Sequence, residues 1–120
     1  MITGVVRGHE ARIRRMRGPS ARQLIGAVID TGYTGYLTLP PALIATLGLP
    51  WQSYGRGLLA DGSESLFNVY EATVVWDRRA RRIPVDEADT DPLVGMTLLE
   101  GYELNMQARH RGKVTIKRLP

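Results

Sequence analysis

Short β-like runs, each bounded by turn residues, recur along the whole chain. These β-like stretches, not all of them apolar, fall at Ile2 to Val6, Ala11 to Met16, Gln23 to Ile29, Tyr36 to Leu39, Gly57 to Ala60, Leu66 to Trp76, Ile83 to Val85, Leu104 to Ala108 and Val114 to Leu119. Strands at such close spacing predict an all-β sandwich or barrel. The punctuation agrees: Arg17-Gly18-Pro19-Ser20, Asp61-Gly62, Asp77-Arg78-Arg79-Ala80 and Arg111-Gly112 each lie between successive runs, so most neighbours are expected to pair as hairpins. Two stretches break the pattern. Pro40 to Gly48 opens with proline where a first helical turn tolerates it, spaces its apolar residues helically and stops at glycine, which predicts a short helix. A second helical turn is expected at Leu98 to Tyr102. No linker, repeat or low-complexity stretch interrupts the chain, so residues 1–120 read as a single domain.

Composition narrows the chemistry. A chain of 120 residues can bury a core without metals or disulfides, and the absence of cysteine removes disulfide staples, thiolate zinc sites and a cysteine nucleophile together. With only His9 and His110, a histidine-rich metal site is not expected, and Asp86, Glu87, Asp89 and Asp91 lack the glycine and terminal glutamate of a calcium loop, so no metal or cofactor is assigned. The two histidines read as solvated residues beside turns. No stretch reaches eighteen consecutive apolar residues and no basic flank with an apolar run opens the chain, so no membrane partner and a cytoplasmic location are expected.

The net charge of +4 comes from 16 Lys and Arg against 12 Asp and Glu, with arginines crowded into Arg7 to Arg22 and Arg78 to Arg82. Nucleic acid is therefore weighed as a partner. The aromatic residues, 7% of the chain, do not interleave with the arginines as stacking readers require, which argues against nucleic acid and for arginines that keep strand edges and a hairpin solvated. Trp51 and Trp76 read as core or barrel-rim aromatics, because buried area dominates what tryptophan does in a small domain.

The constellation that carries chemistry is Asp30-Thr31-Gly32, set directly after Ala27-Val28-Ile29 and followed by Tyr33-Thr34-Gly35. It places a carboxylate at the end of a buried strand. The competing reading is an ordinary turn, in which Asp30 accepts backbone hydrogen bonds and Gly32 supplies a positive φ. Further along, Leu93-Val94-Gly95 alone reads as a core strand whose glycine permits close backbone approach, and the hairpin tipped by Asp61-Gly62 alone reads as a surface hairpin.

In order and spacing these segments resemble the retropepsin-like aspartic proteases of clan AA, in particular their small bacterial members. The resemblance runs from Ile25 to Gly32, through Tyr36-Leu37-Thr38-Leu39-Pro40 and the Asp61-Gly62 hairpin, to Leu93-Val94-Gly95-Met96-Thr97-Leu98-Leu99. It implies a closed β-barrel with a flap hairpin and one or two short helices. It also implies a catalytic Asp30, with Thr31 supporting a dyad by hydrogen bonding across a dimer and Gly32 admitting substrate backbone. Ala60, Asp61, Gly62 and Ser63 become the flap over a peptide or protein substrate, and Leu93, Val94 and Gly95 the support behind the active-site loop. Where retroviral members continue with Ala-Asp and follow the later glycine with arginine, this chain has Tyr33-Thr34 and Met96, so the ion pair those residues make is not available here.

Peptide hydrolysis by this route needs one carboxylate to deprotonate water and a second, protonated one to polarise the carbonyl. The chain holds one such motif, so the second carboxylate is expected from Asp30 of a symmetry-related copy, a homodimer. The alternatives are the same dimeric β-barrel acting as a non-catalytic binding module with an arginine-rich face, and a small nucleic-acid-binding β protein.

Overall fold

The structure, a computed structural model, describes residues 23–120 and, for the backbone alone, Thr3–Val5. The predicted strand over Ala11 to Met16, the turn at Arg17 to Ser20, the Arg7 to Arg22 cluster and His9 lie outside the described residues. The elements are β1 (Thr3–Val5), β2 (Val28–Asp30), β3 (Leu37–Leu39), α1 (Pro41–Leu47), β4 (Trp51–Leu58), β5 (Glu64–Trp76), β6 (Arg79–Glu87), β7 (Leu93–Val94), β8 (Tyr102–Met106) and β9 (Val114–Arg118). The fold is mostly β, as expected, and no described helix is long and apolar enough to cross a membrane.

Helix α1 forms where the sequence places it. Pro41 occupies the first turn, Gly48 takes a left-handed conformation at φ 60°, and the Gly48 and Leu49 N–H groups return to Ala45 and Ile44 carbonyls at 3.0 and 3.2 Å. Seven residues are too few to stand as a helix in water. Burial of Ile44 and Leu47 in the core, each contributing about 1.5–3 kcal/mol, holds it. The expected second helical turn is a run of hydrogen-bonded turns over residues 96–101 instead, ended by Gly101 at φ 89°, and it buries Leu98 and Leu99.

The seven-stranded sheet runs β1-β2-β7-β3-β6-β5-β4, and β8 and β9 form a separate antiparallel pair. The expected closed barrel does not form: β1 and β4 stand at opposite edges of an open sheet. The physical reason lies in β4, which is exposed along most of its length and has no apolar face to fold back onto β1. The core of Leu37, Leu39, Ile83, Val85 and Val94 is covered instead by α1, by Leu98 and Leu99, and by Tyr102, Leu104, Val114 and Ile116 of the β8–β9 hairpin. Trp51, expected in the core or at a barrel rim, is half exposed, with its indole N–H donating to Asn68 Oδ1 at 3.1 Å, whereas Trp76 is buried with the Tyr102 ring edge-on at 5.8 Å.

Two hairpins are joined through one turn. Between Trp76 and Arg79 the loop has only two residues, Asp77 and Arg78, both at positive φ, which matches the strand twist. From that turn the Asp77 carboxylate accepts the Tyr102 hydroxyl at 3.0 Å and pairs with Arg118, tying β5–β6 to β8–β9. These contacts, the Tyr102 hydrogen bond first, lower the Asp77 pKa from its ordinary 3.8. A carboxyl whose pKa falls on folding adds stability above the unfolded value and loses it as pH drops through the folded one. Acidification below about pH 4 is therefore expected to loosen the β8–β9 hairpin, and Asp77→Asn to remove that share of the acid sensitivity. Amide exchange at Leu104 and Ile116 against pH would show it, and identical profiles for the two proteins would contradict it.

Candidate active site

Asp30 ends β2, where β7 pairs parallel and β1 antiparallel. Its Oδ1 accepts the Gly32 N–H at 2.9 Å and its carbonyl accepts the Tyr33 N–H at 3.1 Å, so the motif turns tightly on the aspartate itself. The residue is 8% exposed, and among the described residues no Lys or Arg makes a salt bridge to it. Gly32 is exposed and is not at positive φ, so the ordinary-turn expectation is corrected on that point.

Ladder register tells which side chains share the carboxylate's face. Partnered residues project together and residues two apart in a strand share a side. From Val28↔Leu93, Thr38↔Leu93, Thr38↔Asp86 and Val69↔Asp86, one face of the sheet carries Val28, Asp30, Leu93, Thr38, Asp86 and Val69. The opposite face, with Ile29, Val94, Leu37 and Val85, is the core. This alternation explains how a strand running into a hydrophobic core can present a carboxylate away from it.

The loop after Asp30 is held from behind by residues 95–97. Gly95 N–H donates to the Tyr36 carbonyl at 3.0 Å, Met96 N–H to Tyr33 at 2.8 Å and Thr97 N–H to Gly35 at 3.2 Å, while the Thr97 hydroxyl donates to the Thr34 carbonyl. A Cβ on Gly95 would stand 2.1 Å from the Gly35 carbonyl oxygen, so only glycine allows this approach. Leu93, Val94 and Gly95 are thus brought to the Asp30 loop.

The flap residues are not. Ala60, Asp61, Gly62 and Ser63 are all exposed at the end of the β4–β5 hairpin, whose distal half reaches past the core. Their turn is closed by Gly62 N–H to the Leu59 carbonyl at 2.9 Å and Leu59 N–H to Ser63 at 2.8 Å, with Gly62 at φ 85°. Ser63 donates its hydroxyl and its N–H to Asp61 Oδ1, which lowers the Asp61 pKa. Behind the tip, Phe67 continues the Val69 face and lies across Gly55, where a Cβ would meet its ring at 2.2 Å. Gly62 has open space around it, so Gly62→Val strains only the backbone, by about 1–2 kcal/mol at a left-handed position. Such a variant is expected to fold, and a flap role, as the resemblance implies it, predicts that any peptide turnover would be lost; full turnover would contradict that role.

Sequence reasoning missed Tyr33 and Asp86. The Tyr33 hydroxyl donates to Asp86 Oδ2 at 2.7 Å, across 53 residues of sequence. Burial first, then that hydrogen bond, pushes the phenol far above its ordinary pKa, so it remains a protonated donor. The signal available in the sequence was Gly35, the partner glycine whose missing side chain admits the tyrosine ring. Among the described residues no group of three His, Asp or Glu stands close enough to hold a metal ion.

The chain matches no family model, no curated protein and no solved structure.

Proposed function

We propose that the chain is one subunit of a homodimeric, retropepsin-like aspartic endopeptidase. The observation that carries this reading is the Asp30 carboxylate, buried to 8% exposure on the side of the sheet away from the core, with one oxygen fixed by a backbone N–H and no salt bridge to it from a described residue. A carboxylate placed so is costly to keep unless it has work to do. Facing a second copy's Asp30 at roughly 3 Å, it would share one proton with it, because two charges so close cannot both form. The ionised partner takes a proton from water, the resulting hydroxide attacks the scissile carbonyl carbon, and the protonated partner hydrogen-bonds the carbonyl oxygen. The proton taken from water then passes to the leaving amine. The glycine-backed loop keeps both carboxylates fixed through these steps.

The alternative, a non-catalytic binding module using its arginines on an acidic partner, has less support. Arg82 is paired with Glu71 at 2.7 Å and the Arg81 guanidinium lies 6.0 Å from the Tyr36 ring centre, so two of the four clustered arginines have local partners. Incubation with a diverse peptide library at several pH values, comparing the native chain with Asp30→Asn, separates the readings.

Assembly gives an independent check. With one motif per chain, the proposal requires a two-fold dimer, expected by sedimentation at tens of micromolar, roughly where a standard-size interface assembles. A chain that stays monomeric there, with peptide present, contradicts the dyad.

A further inference from the structure

Tyr33 joins the Asp30 loop to the far strand of the carboxylate's own face. Its hydroxyl donates to Asp86 Oδ2 on β6 at 2.7 Å, and Thr38 of β3 is a second hydrogen-bond partner of the phenol. Its backbone closes the Asp30 turn at 3.1 Å and accepts the Met96 N–H at 2.8 Å. The ring lies against two glycines: a Cβ on Gly35 would stand 2.4 Å from the Tyr33 Oη, and one on Gly95 2.7 Å from its Cδ2. The tyrosine is thus seated in a slot from which side chains are absent, with its polar end fixed on an acid and a threonine.

We propose that Tyr33 is a positioning residue for Asp30: the phenol, anchored on Asp86, sets the place of the Asp30-Thr31-Gly32 turn and hence how the carboxylate meets its symmetry mate. This inference rests on the aspartic protease reading. The physical need is specific, since a dyad works only when its oxygens lie close enough to share a proton, and an error of about 1 Å in such a site costs on the order of 10²-fold in rate. Asp30 has one backbone hydrogen bond to its carboxylate and no described salt bridge, so its direction depends on the turn that carries it. Tyr33 is the next residue after that turn, and its side chain crosses to another strand. The same strand is tied on to the base of the β4–β5 hairpin, because Glu87 accepts the Asn68 amide at 3.2 Å and Asn68 accepts the Trp51 indole.

The test compares the native chain with Tyr33→Phe, which keeps the ring in its slot and removes only the hydroxyl, with Asp86→Ala, and with the double variant. Steady-state kinetics on a cleaved library peptide and carbon-detected NMR titration of the Asp30 carboxyl are the two readouts, with thermal melts to establish folding. The expected result is a fall in kcat of about 10–100-fold with KM nearly unchanged. The double variant should be no worse than the poorer single one, and the Asp30 titration curve should move in each. A tyrosine that merely fills space would leave the Asp30 titration and kcat untouched in Tyr33→Phe, and that result overturns the proposal. Should the native chain cleave nothing, or Asp30→Asn cleave as well as native, the protease reading fails on its own. The titration then still decides whether Tyr33 positions Asp30, a moved curve supporting it and an unmoved one rejecting it.

Discussion

Asp30→Asn is expected to reduce peptide hydrolysis by about 10²–10⁴-fold or more, down to background, while leaving the melting temperature nearly where it was. An amide cannot take a proton from water, so the base is lost. The structural duties of the residue survive, because the asparagine side-chain oxygen can accept the same Gly32 N–H that Asp30 Oδ1 accepts at 2.9 Å. No described salt bridge is broken, since none reaches the carboxylate. In the proposed dimer the substitution would also replace two facing acids by neutral amides, which removes any like-charge repulsion between them. A purely structural aspartate predicts the reverse, a loss of about 1–3 kcal/mol with no rate to lose. Paired melts and cleavage rates distinguish the two, and a variant that still cleaves would falsify the catalytic assignment.

Gly95→Ala is expected to have the largest effect on stability. The added Cβ would meet the Gly35 carbonyl oxygen at 2.1 Å and carbon at 2.8 Å, both backbone atoms that cannot rotate aside, as well as the Tyr33 ring at 2.7 Å. Relief requires β7 and the Asp30 loop to separate, which weakens the hydrogen bonds from Gly95, Met96 and Thr97 to that loop. A loss of about 3 kcal/mol is the scale for such a clash, enough to lower Tm by on the order of 10 °C. Gly26→Ala is the control, because nothing stands within 4 Å of its added methyl. Equal melts for the two variants would show that the close approach behind the loop is not there.

What could be read from the sequence was what neighbours along the chain decide. Proline before and glycine after Pro41–Leu47 fixed both ends of α1, and the alternation through Leu66 to Trp76 marked β5. Most of β4, Trp51 to Arg56, was missed because glycines at Gly55 and Gly57 interrupt the alternation that would have made a pattern; both lie against the Phe67 ring. Strand β7 has two residues, too few for any periodicity, and exists because β2 and β3 take it from either side. Sheet closure failed as an expectation because it depends on whether two distant edges meet. Within the candidate site, Asp30 and Leu93-Val94-Gly95 were visible as motifs, whereas the Tyr33–Asp86 contact spans 53 residues that no local rule connects.

The parallel pairing of Val28 with Leu93 has a further consequence, for the order in which the molecule matures. Closing so long a loop costs chain entropy before any contact rewards it, and non-local parallel pairing is slow to form. The β5–β6 hairpin, with its two-residue connection, can close early, but the backing of the Asp30 loop cannot exist until residues 93–97 have left the ribosome and found β2 and β3. The carboxylate therefore gains its fixed setting late in folding, and a nascent chain that has emerged only through the β4–β5 hairpin still has its Asp30 loop without backing.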